Sequence, residues 1–288
     1  MTISGGGNPV DLHTHSTASD GLLSPAALVA EAAARGVRFL GLTDHDTVDG
    51  IPEAQQAGAA LGVEVIPGVE LSTSLDGGEG VHLLGYFIDI THPELQDALA
   101  TWAAARRERS VRMVARLRDI GVALDPAAVD ALAGDGTIGR PHIARALVAA
   151  GHATDLPDAF NRYLGRNKAA YVPRPRVDPR DAIRLVLAAG GVPVIAHPFG
   201  SGGVEGALDR LIPAGLLGME VDYGEYTPEE RETLRQIATR RGLIATGGSD
   251  FHGPGVGGHL AALGGPPVPL AAVENLRAAA ASQRSSTS

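Results

Sequence analysis

The chain has 288 residues, a net charge of -9 and 44% hydrophobic residues, a composition typical of a globular protein large enough for one α/β barrel. It contains no cysteine, which excludes disulfides, thiolate nucleophiles and cysteine-bound zinc, so any metal must bind nitrogen and oxygen ligands. The negative net charge argues against a large nucleic-acid interface, which normally needs a basic surface. No segment is apolar and long enough to span a bilayer, and residues 1–8 carry no export signal, so we expect no membrane partner and a cytoplasmic location.

Short apolar runs alternate with amphipathic helical segments through most of the chain. After the first predicted strand, Ser24 and Pro25 are a favourable N-cap and first residue for a helix that ends at Gly36, and a second helix is predicted at 51–61. The predicted strands cover residues 10–13, 39–43, 63–69, 81–88, 192–196, 216–221 and 243–246. Repeated β-α units with right-handed crossovers predict an α/β fold, a distorted parallel (β/α)7-type barrel.

The segment from about residue 95 to residue 170 breaks this alternation. Its pattern is almost wholly helical and is punctuated by Gly121, Gly134 and Gly151. We therefore predict a barrel formed by residues 1–100 and 171–288, with a small helical domain of residues 101–170 inserted between two barrel strands. The polar residues after Gln283 offer nothing to bury, and we expect them to be disordered.

Imidazole and carboxylate side chains stand where the predicted strands end. The carboxyl ends of parallel strands in a β/α barrel meet on one face, so these side chains should share a single rim. The residues concerned are Asp11, His13, His15, Asp20, Asp44, His45, Asp46, Glu70, His82, His197, Asp250 and His252. Such a mixture of ligands suits zinc, manganese or iron.

Each of these residues also has a structural interpretation. A single His near a strand end can be a hydrogen-bonded structural residue, and Asp46 or Asp49 could cap the following helix. However, six of the ten histidines fall on the same predicted rim, whereas unrelated structural histidines would be scattered. The shared placement therefore favours a metal cluster.

Five ordered motifs within this set resemble those of the PHP (polymerase and histidinol phosphatase) superfamily. They are Asp11-Leu12-His13-Thr14-His15, Thr43-Asp44-His45-Asp46, Gly68-Val69-Glu70, Ala196-His197-Pro198 and Gly248-Ser249-Asp250-Phe251-His252. The helical insertion, with the motif that starts Gly139-Arg140-Pro141-His142, resembles the one in the branch of small nucleotide phosphoesterases. That branch includes nucleoside 3',5'-bisphosphate phosphatases and 5'-to-3' exoribonucleases.

The resemblance implies two or three divalent ions, with Mn²⁺ expected and Zn²⁺, Fe²⁺ or Mg²⁺ as alternatives. It places the first ion on His13, His15, Glu70 and Asp250. Glu70 would bridge to a second ion on His82 and His197, and the third would lie on Asp20, His45 and His252. All these positions hold residues able to bind a metal.

Such a cluster suggests phosphoester hydrolysis. Divalent ions lower the pKa of a bound water and attract phosphate, so we expect a metal-bridging hydroxide to attack phosphorus directly. Glu70, Asp250 and His197 would be the catalytic residues through that hydroxide. The resemblance implies a small phosphorylated substrate, a nucleotide or a short oligoribonucleotide. The expected reaction is removal of the 3'-phosphate from nucleoside 3',5'-bisphosphates, with 5'-to-3' trimming of short RNA as a further activity.

The insertion should recognise the substrate. Arg140, His142 and Lys168 are candidates to bind a second or terminal phosphate, although each could instead be a solvated surface or helix-end residue. A run of arginines on one predicted helix could bind RNA or form a solvated face. The run comprises Arg106, Arg107, Arg109, Arg112, Arg116 and Arg118. Two further arginines, Arg174 and Arg176, could fix the insertion to the barrel.

Histidines outside the cluster are interpreted as structural. They are His92, His152 and His259, the last of which could also line the pocket.

Other functions remain open from the residues alone. The substrate could be another phosphate monoester such as histidinol phosphate. Amide or lactone hydrolase barrels usually have a metal-bridging lysine or a different order of ligands, and no Lys stands at a predicted strand end. A metal-binding scaffold without turnover would need a missing ligand, and no ligand position is unsuitably filled.

Overall fold

Seven strands form one sheet in sequence order in the computed structural model, which describes residues 8–75, 80–254 and 262–287. They are β1 (Val10–Thr14), β2 (Phe39–Leu42), β3 (Glu64–Ser74), β4 (Gly80–Tyr86), β5 (Val192–Ile195), β6 (Gly218–Tyr223) and β7 (Ile244–Gly248). The segment after β7 returns to β1, where the Asp250 amide donates to the His13 carbonyl at 2.8 Å and the His15 amide donates to the Phe251 carbonyl at 2.9 Å. The sheet is therefore a nearly closed barrel, and the predicted α/β barrel is confirmed.

One strand differs in direction from the predicted parallel sheet. β4 is antiparallel to both β3 and β5, whereas the other adjacent strands are parallel. Only residues 75–79 separate β3 from β4. A parallel crossover needs a dozen or more residues, so this short connection permits only a hairpin. The reversal places the beginning of β4, with His82, on the rim where the parallel strands end.

Ten α-helices are assigned in the described residues. They are α1 (Pro25–Ala34), α2 (Ile51–Leu61), α3 (Pro93–Asp119), α4 (Pro126–Ala133), α5 (Arg140–Ala149), α6 (Leu156–Ala159), α7 (Pro179–Ala188), α8 (Val204–Leu211), α9 (Pro228–Arg241) and α10 (Leu270–Thr287). Ser24 caps α1 as predicted, since its side chain accepts from the Ala27 amide. Helices α1, α2, α7, α8 and α9 pack their apolar residues with those of the strands in one large core. None of the helices in the described ranges has both the length and the apolar character needed to cross a membrane.

The C-terminal residues were expected to be disordered after Gln283, and this expectation is wrong for the described part. Helix α10 continues to Thr287. Arg284 donates from its guanidinium to the Phe87 carbonyl at 2.6 Å, and this bond ties the end of the helix to the loop after β4. Upstream, Val273 and Leu276 of α10 share a buried cluster with strand residues.

Residues 93–170 contain helices and no strand, and all of them are described. A five-residue π-helix, Phe160–Leu164, directly follows α6. Most of the buried hydrophobic residues in this segment form their own cluster, which includes Met113 and Leu117 of α3. The first turns of α3 instead contribute Leu95 and Leu99 to the barrel core. One continuous helix thus leads from the barrel into the insertion, and residue 101 lies within it.

Candidate metal centre

All nine predicted metal ligands meet on the rim at the carboxyl ends of the parallel strands. Their side chains form three overlapping groups, and the ligand atoms within each group lie within 4.8 Å of one another. The groups are His13, His15, Glu70 and Asp250; His15, Asp20, His45 and His252; and His45, Glu70 and His82. His197 joins the cluster through Glu70, whose Oε1 lies 3.1 Å from its Nε2.

Glu70 is the centre of the cluster and is only 1% exposed. Its two carboxylate oxygens face different histidines. Oε2 lies 3.4 Å from His13 Nε2, 3.3 Å from His15 Nε2 and 3.0 Å from His45 Nδ1, whereas Oε1 lies 2.7 Å from His82 Nδ1 and 3.1 Å from His197 Nε2. One carboxylate oriented in this way could serve two neighbouring ions.

The third group is built around Asp20, in the loop after β1. Its Oδ1 lies 3.3 Å from His252 Nε2, and its Oδ2 lies 3.8 Å from His45 Nε2. His15 stacks on His252 with ring centroids 4.1 Å apart. The ligand atoms of His15, Asp20, His45 and His252 all lie within 4.8 Å of one another, close enough to share one ion.

The hydrogen bonding of the cluster fits a metal site. His13 Nε2, both ring nitrogens of His15 and His45 Nδ1 are buried and make no hydrogen bond within the described residues. Buried polar atoms are normally satisfied, and several such atoms converging on carboxylates are what a set of metal ligands looks like. The nitrogen and oxygen donors therefore fit divalent ions.

The three carboxyls of the cluster are held in the ionised form that metal binding requires. Burial alone would raise their pKa, but the nearby imidazoles outweigh it and lower the pKa of Asp20, Glu70 and Asp250 well below the usual range. The same interaction acts in reverse on His15. Burial opposes its protonation, yet Asp250 and Glu70 raise the pKa of His15 to about 10.

Two residues that sequence analysis missed orient the ligands. Glu220 is fully buried, lies 2.9 Å from His13 Nδ1 through Oε1, and accepts from the His197 amide at 2.7 Å through Oε2. The Tyr223 hydroxyl donates to Asp250 Oδ2 at 2.9 Å. Partners of this kind fix the ring and carboxylate orientation of metal ligands. The available signal was a charged residue, Glu220, in the middle of an apolar predicted strand.

Two cavities adjoin the cluster. The metal-centre cavity, of about 400 Å³, is lined by most of the cluster together with Arg140, Pro141, Arg145, Leu156, Pro157, Phe160, Arg174 and Tyr223. The arginine cavity, of about 450 Å³, is lined by five arginines, Arg109, Arg140, Arg166, Arg174 and Arg176, along with Tyr171 and the β3–β4 hairpin. His82, His197, Arg140 and Arg174 line both cavities, so the two cavities adjoin at these side chains.

The arginine cavity carries concentrated positive charge. Burial and the charges of Arg174 and Arg140 lower the pKa of Arg109 to about 9, and burial followed by the charge of Arg106 lowers the pKa of Arg174 to about 10. Guanidinium groups remain charged at neutral pH despite such an environment. Arginines that repel one another beside a metal centre provide a binding site for an anion.

The three predicted substrate-binding residues lie in different environments. Arg140 lines both cavities. His142 is buried, and its Nδ1 accepts from the Gly139 amide at 3.0 Å, so its ring supports the start of α5 and does not line either cavity. Lys168 is exposed and lies outside both cavities, whereas Arg166 lines the arginine cavity.

The arginine run on α3 is neither uniformly solvated nor a single binding face. Arg106 is buried and donates to Asp46 at 2.6 Å and to Ser72 at 2.8 Å, while buried Arg109 donates to the Val172 carbonyl at 2.7 Å. The remaining members, Arg107, Arg112, Arg116 and Arg118, are at least partly exposed.

The acidic residues before α2 do not cap that helix, because Gly50 occupies its N-cap position. Asp46 instead accepts from the Ser72 amide at 2.8 Å and has a φ of 52°, beside His45. Of the other histidines, His152 Nε2 lies 2.8 Å from the Ala123 carbonyl and His92 occupies the N-cap position of α3, while His259 lies outside the described residues.

Comparisons with known proteins agree with this geometry. A PHP domain model matches residues 11–118. A 5'-3' exoribonuclease from Haemophilus influenzae is 41% identical over 248 residues, which cover 85% of this chain and 90% of that protein. A 3',5'-nucleoside bisphosphate phosphatase from Chromobacterium violaceum is 38% identical over 254 residues, covering 86% of this chain and 89% of that protein.

The fold comparison agrees as well. The crystal structure of a candidate metal-dependent phosphoesterase from Bifidobacterium adolescentis superposes with a TM-score of 0.86 at 35% identity, covering 93% of this chain and 95% of that one. Full-length similarity of this degree, together with a rim of clustered imidazoles and carboxylates, identifies the family. The chain belongs to the PHP-domain family, in its branch of small metal-dependent phosphoesterases.

Proposed function

We propose that this phosphoesterase removes a phosphate from nucleotides, with the 3'-phosphate of nucleoside 3',5'-bisphosphates as the favoured target. Trimming of short RNA from the 5' end is the second proposed activity of the same site. The names of two full-length relatives support this pair of reactions. Both reactions need a metal centre for the scissile phosphate and a separate site for another phosphate.

The observation that carries the proposal is the junction of the two cavities. Arg140 and Arg174 line both the metal-centre cavity and the arginine cavity. A substrate with two phosphates can place one at the cluster and the other among the guanidinium groups, which bind phosphate through planar pairs of donors. A substrate with a single phosphate would leave the arginine cavity unused.

We propose two or three bound ions, with Mn²⁺ preferred. The proposed ligands are His13, His15, Asp20, His45, Glu70, His82, His197, Asp250 and His252. When bound, such ions supply an activated water and neutralise the charge that develops on phosphate. Glu70, Asp250 and His197 are the proposed catalytic residues, because all three line the metal-centre cavity and Glu70 links the other two to the cluster.

The residues behind the ligands keep these groups in position. Glu220 faces Nδ1 of His13, which leaves Nε2 directed toward Glu70 and Asp250 at 3.4 Å and 3.3 Å. Tyr223 donates to one oxygen of Asp250 and so orients the other toward His15, 3.0 Å away. Preorganised ligands lose little entropy when they bind an ion and do not need to reorganise during turnover.

We further propose that residues 101–170 act as a substrate-binding domain. Arg109, Arg140 and Arg166 of this segment line the arginine cavity, and Pro141, Leu156 and Phe160 line the metal-centre cavity. The barrel would then provide the chemistry, and the inserted helices would select the substrate.

The test is phosphate release from adenosine 3',5'-bisphosphate by manganese-loaded protein, with the AMP isomers separated by chromatography. The proposal predicts release of phosphate with 5'-AMP as the product, and loss of activity when a chelator removes the metal. Release of 3'-AMP would contradict the assigned position of attack. Cleavage of a simple aryl phosphate without cleavage of the bisphosphate would contradict the proposed substrate.

A further inference from the structure

One wall of the metal-centre cavity is apolar, although the rest of its lining is charged or polar. This wall consists of Pro141, Leu156, Pro157 and Phe160. All four belong to the helical insertion, and none serves the metal cluster. Phosphate and divalent ions gain nothing from an apolar surface, so this wall is available to another part of a substrate.

Phe160 is the aromatic member of the wall. It lies at the junction between α6 and the π-helix Phe160–Leu164, and its ring is half-buried against the core of the insertion. The guanidinium carbon of Arg140 lies 5.4 Å from the Phe160 ring centroid and 5.9 Å from the Tyr171 ring centroid. Arg140, which lines both cavities, therefore lies over the Phe160 ring.

Resting on the proposed function, we propose that Phe160 is the platform on which the nucleobase of the substrate stacks. A nucleotide with one phosphate at the metal cluster and the other near Arg140 can place its base against the apolar wall of the same cavity. The insertion supplies an aromatic ring there, and base–aromatic stacking is tolerant of sequence because every base has a π-face. Phe160 therefore selects nucleotides over other phosphate esters without selecting among the bases.

A second aromatic residue near the cluster offers a comparison. Phe199, two residues after His197, is 41% exposed, and its ring centroid lies 5.1 Å from that of Tyr226. It lines neither the metal-centre cavity nor the arginine cavity. A base stacked on Phe199 would lie outside the two cavities in which the phosphates are placed.

The test compares ligands that differ only in the base. Binding of 5'-AMP and of ribose 5-phosphate to manganese-loaded protein is measured by calorimetry, for the wild type and for Phe160→Tyr, Phe160→Leu, Phe160→Ala and Phe199→Ala. We expect the wild type to bind 5'-AMP more tightly by about 5- to 100-fold, the range that stacking of one base gives. Phe160→Leu and Phe160→Ala should lose this preference, so that each variant binds 5'-AMP no more tightly than ribose 5-phosphate. Phe160→Tyr and Phe199→Ala should retain it.

The leucine variant keeps apolar packing if the alanine variant unfolds, and CMP, GMP and UMP should show the same preference as 5'-AMP. The inference would be overturned by equal binding of 5'-AMP and ribose 5-phosphate to the wild type, or by loss of the preference in Phe199→Ala alone. Because calorimetry needs no turnover, a Phe160-dependent preference in a protein that cannot cleave the bisphosphate would refute the proposed reaction and keep the stacking site.

Discussion

Nδ1 of His13 lies 2.9 Å from Oε1 of Glu220, and both side chains are fully buried. The second oxygen of Glu220 accepts from the His197 amide at 2.7 Å. One carboxylate from β6 therefore sets the orientation of a histidine on β1 and the backbone after β5. His197 itself has a φ of 27°, a conformation that non-glycine residues seldom adopt, so the bond to its amide helps to hold a strained position.

Replacing this carboxylate should weaken metal binding. Glu220→Gln keeps the size of the side chain but turns one acceptor into a donor, so it cannot accept from both His13 and His197. We expect a loss of about 10- to 100-fold in metal affinity, as for other partners behind metal ligands. Activity measured as a function of manganese concentration gives the affinity, and excess manganese should restore much of the rate. The exposed Glu225→Gln provides the control, and equal manganese dependence in both variants would contradict the orienting role.

The neighbouring residues Arg106 and Arg107 should differ sharply in their contribution to stability. Arg106→Met leaves Asp46 buried without its charge partner, which costs about 3–5 kcal/mol of unfolding free energy. The pair of Arg107 with Asp130 is exposed, so Arg107→Met should cost at most about 1 kcal/mol. Urea unfolding followed by circular dichroism measures both. Equal losses would show that the Arg106–Asp46 bond does not anchor α3 to the loop that carries His45.

Arg140 should affect bisphosphates more than simple phosphates. In Arg140→Ala we expect KM for adenosine 3',5'-bisphosphate to rise by about 10- to 100-fold, the effect of one charge-assisted hydrogen bond, and to change little for an aryl phosphate. Lys168→Ala is the matched control, because Lys168 is exposed and lines neither cavity. A comparable rise in KM for both substrates would place Arg140 at the scissile phosphate.

The stability contribution of Asp178 should disappear in acid. A side-chain hydrogen bond from Arg180 is the main cause that lowers the pKa of Asp178 to about 2, and Asp178 also caps α7 by accepting from the Arg180 amide at 2.8 Å. Because its pKa in the folded state lies below the value of ~3.9 in unfolded chains, the contribution is present above about pH 4 and is lost as pH falls through about 2.

Asp178→Ala should therefore lower the unfolding free energy at pH 7 by about 1 kcal/mol, the usual loss for a helix cap. The difference from the wild type should shrink between pH 4 and pH 2 in urea titrations. Asp181→Ala removes an exposed carboxylate from the same helix and should cost less than about 0.5 kcal/mol. If the difference in unfolding free energy between the wild type and Asp178→Ala stays constant with pH, ionisation of Asp178 does not stabilise α7.

Much of the fold and of the ligand cluster could be predicted because their signals are local. Strand-end placement of His13, His45 and Asp250 depends only on the alternation of strands and helices along the chain. Features created by distant partners could not be predicted. Arg106 looks like a surface residue of an amphipathic helix, and its burial depends on Asp46, 60 positions away. Glu220 likewise has no visible partner in its own segment, because His13 lies 207 positions earlier.

The central claim is that a Glu70-centred metal cluster performs phosphoester hydrolysis, and Glu70→Gln tests it most directly. Bound metal and phosphate release from adenosine 3',5'-bisphosphate are measured on the same preparations of wild type and variant. We predict that the variant loses at least one bound ion and its turnover together, while its circular dichroism spectrum stays that of the wild type. Near-normal turnover with intact metal content would contradict the assignment of Glu70 as the shared ligand and the mechanism built on it.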